Sequence, residues 1–315
     1  MVTFFAVPKA FAGHTGMIQR NAIGSWASMP CPHEILLYGD DDGVAEAARD
    51  FGAIHVPDIQ RSSLGTPILS SIFSDAAARA RFPLLCYVNA DIILLPDFAD
   101  ALQQLPSERF LLTGRRVHVD IGGPLVFSDP DWSVRVRRHA TETGVLHSDW
   151  GMDYFVFPRG SISDMPAFCV GRAGWDNWMV YRALRARYRV IDGTARILAI
   201  HQDHDYGHVP ASTGARWEGP ETDQNLRLMP PHATEFSIAD ATHYLSPKGM
   251  VRRTGARVIR NRLASLPFLY PDAPRATRAA WRLTAAALGA MGKLRRYAFR
   301  YCSRELRPPS RPADF

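Results

Sequence analysis

Cysteine is scarce. Cys31, Cys86, Cys169 and Cys302 are the only four, and none are spaced as metal-knuckle pairs. Cys86 and Cys169 lie in apolar surroundings and read as core thiols, which suits a reducing compartment. Long apolar runs are also missing. The run Leu283 to Gly292 falls far below the ~20 residues of a membrane-spanning helix. Met1 to Val7 is too short for a secretory leader and is broken by Pro8, so a cytoplasmic protein is expected. No G-x-G-x-x-G turn follows a strand, which disfavours a nicotinamide enzyme, and there is no G-x-x-x-x-G-K-[ST] phosphate loop. Without a G-x-S-x-G elbow an α/β-hydrolase is disfavoured, and without H-E-x-x-H so is a helical zinc protease.

What is present is an ordinary globular composition with an uneven charge. Apolar residues make up 46% and charged residues 22%, enough for a full core. Residues 247–315 hold 16 Lys/Arg against 3 Asp/Glu, leaving 21 against 28 in residues 1–246. An acidic body with a basic tail predicts two functional parts, a catalytic domain over 1–246 and a helical extension over 247–315.

Along the body, strand and helix patterns alternate at short intervals. Val2–Val7, Glu34–Tyr38, Ala53–Val56, Leu84–Val88, Phe110–Thr113, Arg189–Asp192 and Ala195–His201 read as strands. Helical spacing is predicted over Met17–Met29, Val44–Phe51, Thr66–Arg81 and Met179–Arg187, with Thr66 and Pro67 capping the third. Residues 115–143 read mainly as loop, either a flap over a ligand or a solvated excursion. The alternation predicts an α/β fold, a mostly parallel sheet with helices on both faces.

Ligands bind such sheets at the carboxyl ends of the strands. There the apolar run Leu84–Val88 meets Asn89-Ala90-Asp91. Asp91 is read two ways, as a cap on its own turn or as a carboxylate holding a divalent cation that in turn holds a diphosphate. Asp40, after the second strand, either enriches a helix start in acid or accepts hydrogen bonds from a nucleobase or ribose. Asp176, between Trp175 and Trp178, is an N-cap or a general base for a sugar hydroxyl, with Asp153 its rival. Trp175 and Trp178 are candidates to stack an acceptor sugar. His201 ends a strand and can complete a cation site opposite Asp91, while His204 and His208 read as loop histidines.

Taken in order, these features resemble a GT-A-fold, nucleotide-sugar-dependent glycosyltransferase over roughly residues 1 to 210. Glu34 to Asp41 is similar to the strand that holds the nucleoside, and Val88-Asn89-Ala90-Asp91 to the D-x-D metal motif in an N-x-D form. Gly174 to Asn177 lies where that family places its catalytic base, and Ile200-His201 resembles its late metal-reaching histidine. The resemblance implies a Rossmann-like fold and a donor pocket drawing on Lys9, Gln19, Asp40, Arg61, Asn89 and Asp91. It implies Mn²⁺ or Mg²⁺ held by Asp91 and His201, and an acceptor hydroxyl deprotonated by Asp176 in an inverting transfer to a glycan or lipid-linked acceptor. Polysaccharide synthesis at the cell surface is the setting it suggests. A sugar-phosphate nucleotidyltransferase shares the sheet, but Pro8 to Gly13 matches its arginine-bearing loop poorly. A non-catalytic membrane- or polymer-binding protein is the third reading.

In the tail, Arg252, Arg253, Arg257, Arg260 and Arg262 mix with Val258, Ile259, Leu263, Leu266 and Phe268. A second helix is predicted from Arg275 to Leu306, with disorder from Arg307 to Phe315. Such helices can rest on the anionic inner face of a membrane, or pack on the acidic body or a second subunit. Aromatics are too sparse among the charges for nucleic acid to be expected.

Overall fold

The computed structural model of the chain describes residues 1–203, 218–287 and 290. The chain divides into two compact units, the first spanning Met1–Arg252 and the second beginning at Arg253.

In the first unit the strands of a nine-stranded sheet lie in the order β13-β12-β10-β6-β9-β4-β1-β2-β3. By range these are β1 (Val2–Ala6), β2 (His33–Tyr38), β3 (Ile54–Val56), β4 (Leu84–Val88), β6 (Phe110–Thr113), β9 (Tyr154–Pro158), β10 (Arg189–Asp192), β12 (His243–Ser246) and β13 (Gly249–Arg252). Every pairing is parallel except those made by β9 and by β13, so the expected mostly parallel sheet is present. β13 lies inside the stretch read from the sequence as tail.

Strand alternation sends side chains to two layers. Phe4, Leu37, Cys86, Val88 and Val156 join one core with Trp26 of α1 (Gly13–Ala27) and Phe98 of α4 (Asp97–Leu102). On the opposite face, Phe5 meets Phe73 of α3 (Leu69–Arg79) edge-on at 5.0 Å, and Tyr87 meets Trp175 of α6 (Trp175–Arg185) at 5.0 Å. Helices therefore cover both faces. Each fully buried large apolar side chain here contributes about 1.5–3 kcal/mol.

A second sheet has four strands in the order β5-β11-β7-β8. They are β5 (Ile92–Leu94), β7 (Arg116–Val119), β8 (Val145–Leu146) and β11 (Ala199–Gln202). α5 (Trp132–Thr143) packs on one face through Trp132, Val136 and Ala140 against Ile93, Val119 and Ile200. The expectation of loop over 115–143 is thus corrected. The alternation Arg116-Val117-His118-Val119 is a strand whose odd positions face α5, and the α5 stripe recurs every four residues. Nor is the segment between them loose: Asn21 of α1 donates to Gly123 O at 3.0 Å and accepts from Leu125 N at 2.8 Å.

The helix expected from Thr66 starts at Leu69 instead. Pro67 pairs with Arg61 in an isolated bridge, and the Thr66 hydroxyl is spent elsewhere, on Glu221. α2 (Val44–Asp50) ends as read, at Gly52 with φ of 63°.

In the second unit α8 (Ala256–Leu269) carries Arg257, Arg260 and Arg262, and residues 275–287 are helical. No helix among the described residues is long and apolar enough to cross a membrane. The remainder of the helix expected to reach Leu306, and the Arg307 to Phe315 end, lie outside the described residues.

Candidate active site at the seam of the two sheets

Short crossings join the large sheet and the small one. Asn89–Asp91 links β4 to β5, Gly114–Arg115 links β6 to β7, and residues 147–153 return from β8 to β9. At Gly114 the backbone runs so close to β9 that a Cβ would stand 2.3 Å from the Tyr154 hydroxyl. The crossings gather polar residues at the carboxyl end of β4.

Asp153 is 3% exposed. Its carboxylate accepts from Arg116 Nη1 at 2.5 Å and from Asn89 Nδ2 at 2.8 Å, while its carbonyl accepts from Asn89 N at 2.9 Å. Both carboxylate oxygens thus have cationic or amide partners, which makes Asp153 an anchor for the Asn89 turn. Arg116 Nε also reaches His118 Nε2 at 3.2 Å.

Two residues past Asn89 begins a looser group. Asp91 Oδ2 stands 3.4 Å from His201 Nε2, and its side chain is 23% exposed. His118 Nδ1 stands 3.4 Å from Asp203 Oδ1. The two imidazoles have centroids 4.8 Å apart. One ligand atom from each of His118, His201 and Asp203 lies within 4.8 Å of the others, so the site can hold a divalent metal. The Asp91 carbonyl, by contrast, accepts from Gln202 Nε2 at 3.2 Å, and Gln202 Oε1 accepts from Asn21 Nδ2 at 2.9 Å. Asp203 is held through its backbone, donating to Val119 O at 3.0 Å and accepting from His14 at 3.1 Å. Burial, followed by the nearby His201, Arg116 and His147, lowers the His118 pKa and favours the neutral ring that a metal needs.

The other sequence candidates spread along the same sheet edge. β2, β1 and β4 are parallel neighbours, with Ala6 opposite Leu37 and Phe5 opposite Tyr87, so Asp40, Lys9 and Asp91 all follow carboxyl ends. Arg61 Nη2 bonds Asp40 Oδ1 at 2.5 Å and reaches Asp41 at 3.3 Å. Asp40 is held below the ordinary carboxylate range, chiefly by that Arg61 hydrogen bond. Gln19 is 3% exposed. Its amide accepts from Lys9 N at 2.7 Å and donates to Lys9 O at 2.9 Å, fixing the loop after β1 rather than facing solvent.

Asp176 sits in the first turn of α6, after a Gly174 N-cap in the left-handed region (φ 104°), and one oxygen accepts from Asn177 N at 2.9 Å. A Cβ at Gly174 would lie 2.5 Å from Met229 Sδ. Trp175 and Trp178 are 5% and 4% exposed. Their rings pack on Tyr87 and Phe155, and on Phe168, so both indoles belong to the core and present no stacking face to an acceptor. Trp175 does place the start of α6 beside the last residues of β4.

Several contributors escaped the sequence reading. Arg116 and His118 fall in the stretch expected as loop, and Asp203, two residues past His201, carries no motif that gives it a role. Glu221, 2% exposed at the start of α7 (Pro220–Leu228), accepts from Ser62 at 2.5 Å, Thr66 at 2.8 Å and Arg172 at 2.9 and 3.0 Å. It joins the loop bearing Arg61 to the loop leading into α6. His204 and His208 lie outside the described residues.

A cavity of about 270 Å³ lies elsewhere, lined by Ile121, Leu125, Trp132, Arg135, Val136 and His139. It belongs to the α5 side of the small sheet, where Val117 and Ile200 pack, not to the histidine cluster.

No protein-family model and no curated protein matches the chain. Solved structures do. TarS residues 1–349 of S. aureus, in complex with UDP-GlcNAc, is similar at 12% identity and TM-score 0.45, covering 91% of this chain and 71% of that one. A mannosyltransferase of Pyrobaculum calidifontis with GDP-Man and Mn²⁺ is similar at 14% identity and TM-score 0.43, covering 98% and 81%. Glucosyl-3-phosphoglycerate synthase of Mycobacterium tuberculosis, with Mn²⁺, UDP-Glc and phosphoglyceric acid, is similar at 14% identity and TM-score 0.43, covering 74% and 79%.

Proposed function

We propose that the protein is a nucleotide-sugar-dependent glycosyltransferase. It moves a sugar from a nucleoside-diphosphate donor to a hydroxyl of a glycan or lipid-linked acceptor, with inversion, in cell-surface polysaccharide synthesis. The observation that carries this reading is the pairing of Asp91 with His201, itself grouped with His118 and Asp203, past the carboxyl end of β4, in line with Asp40 two strands away. Neighbouring strands lie about 4.8 Å apart, so Asp40 and Asp91 span about 10 Å, the scale of a nucleoside diphosphate.

In this reading Asp40 accepts from the ribose or base, with Arg61 fixing its carboxylate, and Lys9 flanks the donor. Asp91 and His201, with His118 and Asp203, hold Mn²⁺ or Mg²⁺. Such an ion, when bound, neutralises charge on the departing diphosphate. Asp176, at the start of α6, takes the proton of the acceptor hydroxyl. Asp153 holds Asn89 and Arg116 in register rather than acting as base. The arginines of the second unit suit an anionic membrane surface at about 1 kcal/mol per basic residue, which would bring the enzyme to a lipid-linked acceptor.

The test is a panel of UDP-, GDP- and other nucleotide sugars incubated with Mn²⁺ and the protein. Release of nucleoside diphosphate is expected. Pyrophosphate chemistry would instead mark a nucleotidyltransferase, and silence across the panel a non-catalytic binder.

A further inference from the structure

The indoles on either side of Asp176, Trp175 and Trp178, are buried, but another in the same region is not. Trp150 is 48% exposed, in the crossing of residues 147–153 that leads into β9. We propose that Trp150 is the platform on which a sugar ring of a glycan acceptor stacks, with Ser148 and Asp149 beside it to take the hydroxyls. This rests on the transferase reading and narrows its acceptor from glycan or lipid-linked group to a pyranose ring.

Three observations carry it. The first is position. In the large sheet β2, β1, β4 and β9 are successive neighbours. A donor reaching from Asp40, after β2, to Asp91, after β4, has its sugar end toward β9. There Val88 pairs with Tyr154, and Asn89 N donates to Asp153 O at 2.9 Å, so the residues entering β9 stand beside the end of β4. The start of α6 belongs to the same place, since Trp175 packs on Tyr87 of β4 at 5.0 Å and on Phe155 of β9 at 5.4 Å. Trp150 and Asp176 therefore approach one pair of strand ends.

The second is rigidity. The Arg116 backbone clips the turn at both ends: its carbonyl accepts from His147 N at 2.9 Å and its N donates to Gly151 O at 3.1 Å. Within the turn Gly151 N donates to Ser148 O at 3.1 Å, and Ile238 N donates to Asp149 O at 3.3 Å. A Cβ at Gly151 would stand 2.5 Å from His147 Nδ1, so the turn closes only around a glycine. A segment held this way loses little further freedom on binding, and its exposed indole is a preformed contact.

The third is chemistry. A pyranose has an apolar face of C–H groups and a rim of hydroxyls. An indole covers the face, and polar side chains take the rim. The Asp149 carboxylate is 49% exposed and 3.6 Å from Arg115, beyond hydrogen-bond range, so it can accept from a hydroxyl. Val145 of β8 pairs opposite His118 and is exposed, adding apolar surface on that face of the small sheet. His147, whose ring centroid is 5.1 Å from that of His118, sets the turn beside the histidine cluster. Tryptophan also suits a membrane interface, but the exposed carboxylates of Asp149 and Asp203 oppose an anionic bilayer here.

The test uses the full chain and a panel of methyl glycosides and short oligosaccharides. Tryptophan fluorescence and its quenching by acrylamide are followed as each sugar is added without donor, and transfer is then assayed with donor present. At least one glycan should protect the exposed indole from acrylamide, and that protection should vanish in Trp150→Phe, which removes the reporter but keeps a ring. In transfer, Trp150→Ala should raise the acceptor KM at least about tenfold, beyond any change in donor KM, and Trp150→Phe should recover most of the loss. Circular dichroism checks that the variants fold, and acrylamide protection of the unaltered chain is read without them. The proposal is overturned if no glycan protects the indole, if a folded Trp150→Ala keeps the parent's acceptor KM, or if phosphatidylglycerol vesicles protect it where glycans do not. A chain that releases nucleoside diphosphate while its acceptor KM ignores Trp150 keeps the transferase reading and loses the platform. One whose Trp150 is protected by glycans yet turns over no donor keeps the platform and loses the transferase reading.

Discussion

Asp153 and Asp91 lie at the same seam and do opposite things. Asp153 is buried, with one carboxylate oxygen on Asn89 and the other on Arg116. Asp91 is part-exposed and faces an imidazole at 3.4 Å, beyond the range of a good hydrogen bond. A carboxylate closed off by a guanidinium and an amide holds a turn in place. One set against a second titratable ring, with solvent reaching it, can exchange partners. The two are joined through one turn: Asp153 fixes Asn89, and the Asn89 turn carries Asp91.

The contrast breaks most visibly in activity. Asp91→Ala should abolish sugar transfer, by about a hundredfold or more, with an unchanged circular dichroism spectrum. Full activity in that variant would remove Asp91 from the site. Asp153→Ala should act first on stability, because it removes the carboxylate that accepts from Arg116 and Asn89 in a buried site. A loss of about 3–5 kcal/mol is expected from urea unfolding. A variant as stable as the parent would return Asp153 to the list of candidate bases.

A smaller effect concerns pH. Burial alone would raise the pKa of Glu221, but hydrogen bonds from Ser62 and Thr66 and the Arg172 charge outweigh it and hold the group below its ordinary value of 4.5. Glu34 is lowered likewise, burial being outweighed by Thr3 and Arg81. A folded-state value below the unfolded one means the stabilisation is complete above the unfolded value. It is lost as pH falls through 4.5 toward the folded value. Thermal melts should therefore be flat at neutral pH and drop in acid, and Glu221→Gln should melt lower at neutral pH with a shallower acid drop. Parallel curves for the two proteins would contradict this. Smallest of all should be Arg61→Ala. Its pair with Asp40 is exposed and adds little to stability, so the melting temperature should hold while the donor KM rises severalfold. An unchanged KM would place Arg61 outside the donor pocket.

Much of the large sheet was legible because its strands are short apolar runs ending in Gly, Pro or Asp, and a parallel strand buried on both faces leaves that mark. Asp91 and His201 were legible as polar residues where such runs end. The small sheet was not. β7 alternates arginine and histidine with valine, and β8 is two residues long, so a periodicity of two had little room to show. Trp175 and Trp178 misled because an aromatic beside an acid reads alike in a core and in a binding face. Only packing against Tyr87, Phe155 and Phe168 separates the two. Glu221 could not be found from sequence at all, since its partners Ser62, Thr66 and Arg172 are far away along the chain.

The most direct measurement is the melting temperature of the full chain with UDP or GDP, with and without Mn²⁺. Binding raises apparent stability by mass action, about 2.7 kcal/mol at a hundredfold excess over Kd. A nucleoside diphosphate and Mn²⁺ together should stabilise the chain more than either alone, and Asp91→Ala should lose the joint effect. No shift with any nucleoside diphosphate, or the same joint shift in Asp91→Ala, would contradict it.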